Sequence, residues 1–335
     1  MTLNNFIYKV SKPLGGLQVA RFLARNHPRI LMYHRISPDG APGTISVKQF
    51  REQMKLIKKS FNPIFLSELI ELHEQGITPK HAVAVTFDDG YSDFGDYAFP
   101  VIQEMGVPAT LFITTGFVSG DVWLWPDKIK YLILKKSNIK LPTKANLDRG
   151  IKVVKSSVSL WKEISNYCLN LDNLVKEEYI SYLFSLNEVD LPKTAPEGFE
   201  AVCWNQLKKF VTAGTVEVGS HTCTHPVLSR LSGPDLRYEL MFSKDAIRCN
   251  LGVDTSILCY PNGMKSDFNE SVKRELLNSG YKYGITAYPT LEPLADVFSV
   301  SRYSVDENRD RFNKTLYGAS YITAVFRRSM ELNED

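Results

Sequence analysis

The sequence predicts an α/β fold, a (β/α) barrel of about seven parallel strands carrying a helical insertion. Three observations predict it. Short apolar, β-branched runs alternate with helical patterns along most of the 335 residues, the pattern of a parallel sheet covered by helices. Polar residues fall directly after several of these runs, where chemistry gathers in such folds. Between Phe117 and Glu200 the alternation lapses, which marks an insertion.

Taken in order, the chain opens on a basic segment, residues 1–28. No acidic residue precedes Asp39, whereas Lys9, Lys12, Arg21, Arg25, Arg29 and Arg35 do. On a helix from Leu14 to Asn26, Gln18, Arg21 and Arg25 share a stripe opposite Val19, Phe22 and Leu23. This predicts an amphipathic helix packed on the domain; the alternative is a weak interfacial anchor on anionic lipid. Strand runs follow at Arg29–His34, His81–Phe87, Pro108–Thr114, Val216–His221, Ser256–Pro261, Tyr281–Thr286 and Phe298–Val305. Helical patterns separate them at Tyr97–Met105, Trp204–Ala213, Gly233–Asn250 and Phe268–Ser279, and a last helix closes the chain. All of it reads as one domain, 1–335, with residues 118–200 as a lysine-rich helical insertion. That insertion opens on "DVWLWPD", whose Trp123 and Trp125 either line a sugar site or anchor the insertion to the barrel.

Bulk composition narrows the class. Hydrophobic residues make up 44% and net charge is +3, which supports a large soluble core and no pull towards nucleic acid. Five cysteines, scattered and without a C-x-x-C pair, read as reduced thiols. No run is long and apolar enough to span a membrane. Lys9, Lys12, Gly15 and Gly16 interrupt any export-signal core. The expected location is cytoplasmic, with peripheral contact at the inner membrane face as an option.

The strand "AVTF" ends on Asp88 and Asp89. Two adjacent carboxylates repel and resist desolvation. Either they belong to a simple turn, or a cation sits there and the two acids have different jobs. "GSHTCTHP" supplies His221 and His225 at another strand end, two of only six histidines in the chain. Two histidines and a carboxylate form a three-donor set suited to zinc, iron, cobalt or nickel, with positions left for water. One aspartate then binds the cation while its neighbour stays free as a base.

"TFDDG", "SHTCTHP" and "YPNG", in that order and preceded by "LMYHRI", resemble the motifs of the polysaccharide deacetylases, the NodB-type family of metal-dependent carbohydrate esterases. The resemblance spans about residues 29–305 and implies a distorted (β/α) barrel that removes N-acetyl, sometimes O-acetyl, groups. It implies Asp88 as general base, Asp89 with His221 and His225 as metal ligands, and the Asn262 N–H as an oxyanion donor. Two departures matter. The arginine that many members carry before the third motif is missing from Ser256–Cys259, so Arg302 in "VSRYSV" is the expected substitute. The late Leu-His-Asp histidine is missing too. The branch similar to poly-N-acetylglucosamine deacetylases carries its histidine early, so His34 is the expected general acid. Tyr91, Tyr260 and Pro261 join Trp123 and Trp125 as expected substrate contacts. His27, His73 and His81 carry no motif and are expected at the surface.

The reading is a zinc-dependent N-deacetylase of an amino sugar or glycan, with a lipid-linked precursor among the candidate substrates. Its rivals are a deformylase of a formamido sugar and a non-catalytic glycan-binding protein on the same fold.

Overall fold

The computed structural model describes residues 15–143 and 150–331. In chain order its strands are β1 (Arg29–Tyr33), β2 (Ile36–Ser37), β3 (Ile45–Ser46), β4 (Asn62–Pro63), β5 (Ala82–Phe87), β6 (Ala109–Ile113), β7 (Asn138–Pro142), β8 (Ile151–Lys155), β9 (Val216–Ser220), β10 (Ile257–Cys259), β11 (Tyr283–Ile285) and β12 (Tyr303–Ser304). The main sheet runs β11-β10-β9-β6-β5-β1-β12, with the short β4 beside β5. Every pairing in it is parallel. The seven runs read from the sequence are the seven strands of this curled path, and within this sheet only β4 was missed. Two residues long and ending in Pro63, it carries too little pattern to register.

Alternation along the strands separates two cores. On β5, Val83, Val85 and Phe87 pack with Leu111, Val218 and the outer helices. Ala82 and Ala84 face the interior with Ile30, Phe112, Ile257 and Ile285. Continuing that period of two, Thr86 and Asp88 lie on the interior side. The interior is tight: a Cβ on Gly219 would come within 2.5 Å of the Phe112 ring.

The last run, expected as one strand over Phe298–Val305, is split. Val300 bridges in parallel to Ile285 of β11, whereas Tyr303 and Ser304 pair with Leu31 and Met32 of β1. The chain therefore crosses the seam of the curled sheet between these two contacts, and Arg302 sits in the crossing.

The N-terminal helix, Gly16–Leu23, is inverted relative to expectation. Ala20 and Ala24 are buried, whereas Val19, Phe22 and Leu23 are 58%, 62% and 58% exposed. The cause is close packing by small residues: Ala24 abuts Gly318, where a Cβ would approach the Ala24 Cβ to 2.4 Å. His27, expected at the surface, is buried and stacks on Tyr321 with centroids 3.9 Å apart. Among the described residues no helix is long and apolar enough to cross a membrane.

The 118–200 segment is not purely helical. Between the helices Trp125–Lys135, Val158–Cys168 and Asn173–Leu186 it contains the antiparallel pair β7–β8. It has its own core, in which Trp125 packs with Ile129, Leu160, Ile180 and Phe184. Trp123 is buried against Tyr91, Phe117 and Phe199, and its Nε1 donates to the Pro192 carbonyl at 3.1 Å. Both tryptophans are thus anchors, and neither ring is open to a sugar. Trp125→Ala should cost about 3–5 kcal/mol of stability through the cavity it leaves, read by thermal or denaturant unfolding. Unfolding like that of the wild type, together with weakened glycan binding, would return Trp125 to a substrate role.

Candidate active site

Parallel register sets the height of each rim residue. Tyr33 pairs with Phe87, Ile113 with Ser220 and Cys259 with Ile285. The residues that follow, His34, Asp88, His221 and Tyr260, therefore emerge together at the carboxyl ends of their strands.

Asp88 is held by Arg302. Nη1 donates to Oδ1 and Nη2 to Oδ2, each at 2.7 Å. Arg302 is fully buried. It also donates from Nη1 to Thr86 Oγ1 at 2.9 Å, from Nε to the Thr286 carbonyl at 2.8 Å and from Nη2 to Cys259 Sγ at 3.0 Å. Burial pushes the Asp88 carboxyl up, but the charge and hydrogen bonds of Arg302, helped by His34 and His221, bring it below the ordinary carboxylate range. Arg302 in turn is raised, burial opposing and Asp88 overriding it. The sequence pointed to Arg302 only by resemblance; the seam crossing is what brings it to Asp88.

Asp89, at φ 75°, turns the other way. Its Oδ1 lies 3.4 Å from His221 Nε2 and 3.4 Å from His225 Nε2, and all three side chains are buried. His221 Nδ1 lies 2.8 Å from the Cys259 carbonyl. A carbonyl only accepts, so Nδ1 carries the proton and Nε2 presents its lone pair. Burial pushes His225 down to about 3, which favours the neutral form that a cation could take. Donors about 2.0–2.1 Å from one tetrahedral zinc ion lie about 3.4 Å apart, so these three fit a divalent cation.

The loop between the histidines is strained, with Thr222 at φ 70° and His225 at φ 61°. Glu239, buried on the Gly233–Leu251 helix, holds it. Its Oε2 accepts the N–H groups of Cys223 at 2.8 Å and Thr224 at 2.9 Å, and its Oε1 accepts the Thr224 hydroxyl at 2.5 Å. From the other side, the Thr115 and Gly116 N–H groups donate to the Thr222 and Cys223 carbonyls.

His34 stands across the mouth, its side chain 45% exposed and its Nε2 3.8 Å from Asp88 Oδ2. Asn262 has φ 60°, a conformation secured by Gly263, where a Cβ would meet the Ala287 nitrogen at 2.9 Å. Asn262 Nδ2 is buried without a partner. Tyr91 and Tyr260 are buried, their hydroxyls donating to Asp127 Oδ2 and the Phe298 carbonyl at 2.7 and 2.8 Å. Pro261 is buried as well. These three shape the wall and present no free polar side chain to a ligand.

Besides Glu239, three groups escaped the sequence reading. Arg35 pairs with Asp93, donates to the Gly198 carbonyl at 3.0 Å and covers the Tyr91 ring at 4.0 Å, tying the β1 end, the first motif and the end of the insertion together. Asp127, on the insertion, is pushed up to about 6 by burial. Cys259 contacts both Asp88 and Arg302. "MYHRI" and "DDGYSD" hold Arg35 and Asp93 in plain view, but nothing in their spacing announces the pair.

A curled parallel barrel with an ion-paired aspartate beside an Asp-His-His donor set has the parts of a metal-assisted hydrolase. The polysaccharide deacetylase family model matches residues 75–143 and 161–284, more than half of the chain, and the chain belongs to that family. A Staphylococcus aureus poly-beta-1,6-N-acetyl-D-glucosamine N-deacetylase is 35% identical over 95 residues, 28% of this chain and 32% of that protein. The match thus spans about a third of the length of that relative. IcaB from Ammonifex degensii superposes with TM-score 0.57 at 20% identity, covering 87% of this chain and 96% of that one. The Streptococcus pyogenes deacetylase PplD gives 0.56 at 18% identity, covering 84% and 93%.

His225→Ala should abolish binding of one divalent ion per chain, measured by metal analysis and chelator competition. Glu239→Gln, which turns an amide N–H towards the loop's donors, should weaken binding about tenfold or more. Full metal retention in His225→Ala would remove the site.

Proposed function

We propose that the protein is a metal-dependent hydrolase that removes N-acetyl groups from a glycan of amino sugars, with zinc as the cation. The observation that carries the reading is the division between adjacent aspartates: Asp88 is locked to Arg302, and Asp89 faces two histidines. Family membership and the Staphylococcus aureus relative support the substrate class.

Asp89, His221 and His225 would hold the cation, which when bound supplies Lewis-acid polarisation and a lowered water pKa. Asp88, kept ionised by Arg302, takes the proton from the attacking water. Arg302 fixes the carboxylate plane, so the base loses no orientation during turnover. The Asn262 N–H donates to the oxyanion of the tetrahedral intermediate. His34 protonates the departing amine from the open side of the site, since an amide nitrogen is a poor anionic leaving group. The described residues act as a single catalytic unit, and the 118–200 insertion walls one side of the site through Asp127 and the Gly198 carbonyl.

Acetate release from N-acetylglucosamine oligomers tests the reading. Release should vanish with chelator and return with zinc. His34→Ala should retain its metal, lose amide hydrolysis by about 10²-fold or more, and lose far less on an activated aryl acetate, whose leaving group needs no proton. Equal losses on both substrates would assign the acid to another group. Failure of the zinc-loaded wild type on every acetylated oligomer would overturn the function.

A further inference from the structure

The Gly16–Leu23 helix packs on the C-terminal Ala319–Glu331 helix, and their outer surfaces are unusual for a water-soluble enzyme. Val19, Phe22 and Leu23 are each more than half exposed, and Phe326 on the partner helix is 66% exposed. These are not stray side chains. Val19, Phe22 and Leu23 form one stripe at helical spacing, turned outwards because Ala20 and Ala24 occupy the packed face. Val325 and Phe326 stand on the adjoining helix beside Arg327 and Arg328.

The charges flanking the apolar residues are cationic, and the first acidic group after them on the second helix is Glu331, at its end. Arg21 and Arg25 lie on or just after the first helix, and Lys80 is close enough that these three cations, with Arg29, reinforce burial in lowering His81. No acidic residue occurs in 15–38 or in 319–328. The Arg25 guanidinium lies 4.4 Å over the Phe22 ring, an apolar body with a cationic head beside it, as suits an interface between hydrocarbon and phosphate. A second copy of the chain is a poor occupant, because a two-fold contact would set these cations against their own copies.

We propose that the face formed by the Gly16–Leu23 and Ala319–Glu331 helices docks on an anionic lipid surface, with Phe22, Leu23 and Phe326 entering the interface and Arg25, Arg327 and Arg328 meeting the phosphates. The face is rigidly joined to the barrel. Arg29, at the start of β1, donates to the Ala24 and His27 carbonyls at 2.8 and 2.5 Å, and His27 stacks on Tyr321. The helix lies before β1 and His34 after it, so one strand length, about 17 Å, separates the docking end from the catalytic rim. Docking therefore turns the Asp88 site away from the bilayer, towards glycan in the aqueous phase.

Co-sedimentation of the full chain with phosphatidylcholine vesicles, with and without about one third phosphatidylglycerol, tests this without requiring turnover. The wild type should bind only the anionic vesicles, and high salt should release it. Phe22→Ser with Leu23→Ser should reduce binding about tenfold or more. Each of Arg25→Gln, Arg327→Gln and Arg328→Gln should reduce it about fivefold. All variants should keep the wild-type melting temperature and metal content, because Phe22, Leu23, Arg327 and Arg328 face solvent and, among the described residues, the side chain of Arg25 contacts only Phe22 of its own helix. No binding to anionic vesicles, equal binding to neutral ones, or undiminished binding in the serine variant would overturn the proposal. So would a wild-type dimer that the serine variant dissociates, because the face would then be a self-association surface.

Discussion

The structure depends on one buried ion pair laid across the seam of an incompletely closed sheet. Two adjacent carboxylates at the end of a buried strand are unfavourable unless each finds its own partner. Arg302 supplies one partner through two 2.7 Å hydrogen bonds, and the histidine pair supplies the other. The backbone alternation of β5 puts Asp88 on the interior side, while the positive φ of Asp89 sends the second carboxylate elsewhere. Breaking a buried pair of this kind typically costs about 3–5 kcal/mol, because the surviving charge stays desolvated. The Thr86 hydroxyl, the Thr286 carbonyl and the Cys259 sulfur complete the arginine's hydrogen bonding and make the arrangement tolerable.

Strand runs with strong alternation or continuous β-branching were legible without coordinates, and so were the rim residues that follow them. The seam was not. Residues 298–305 look like one strand because their apolar pattern is continuous, yet Val300 and Tyr303 pair with strands at opposite ends of the sheet. Pattern gives the inward or outward sense of a residue but not its pairing partner. Resemblance named Arg302, and the seam explains it.

Two readings of apolar side chains turned on packing that the sequence does not show. For the Gly16–Leu23 helix, the larger apolar side chains were taken as the packed face. The packed face carries the buried Ala20 and Ala24, and Ala24 abuts Gly318, where small size permits close approach and size-weighted patterns point the wrong way. For Trp123 and Trp125, the sequence left ligand contact and anchoring both open; the insertion's core takes the Trp125 ring, and the junction with Tyr91 and Phe117 takes that of Trp123. An aromatic residue near a site looks the same in sequence whether it meets solvent or packing. The β7–β8 hairpin was missed because its exposed lysines dilute the strand pattern.

We infer that Arg302 acts through Asp88, which it holds by two hydrogen bonds, and has no separate catalytic role. A double-mutant cycle on kcat with Asp88→Asn, Arg302→Met and the two combined measures this directly, with metal content checked in each. The account expects Asp88→Asn to carry nearly the whole loss, and the combined variant to be no slower than Asp88→Asn alone. Losses that multiply in the combined variant would contradict it, because Arg302 would then contribute to the reaction independently of the carboxylate it holds.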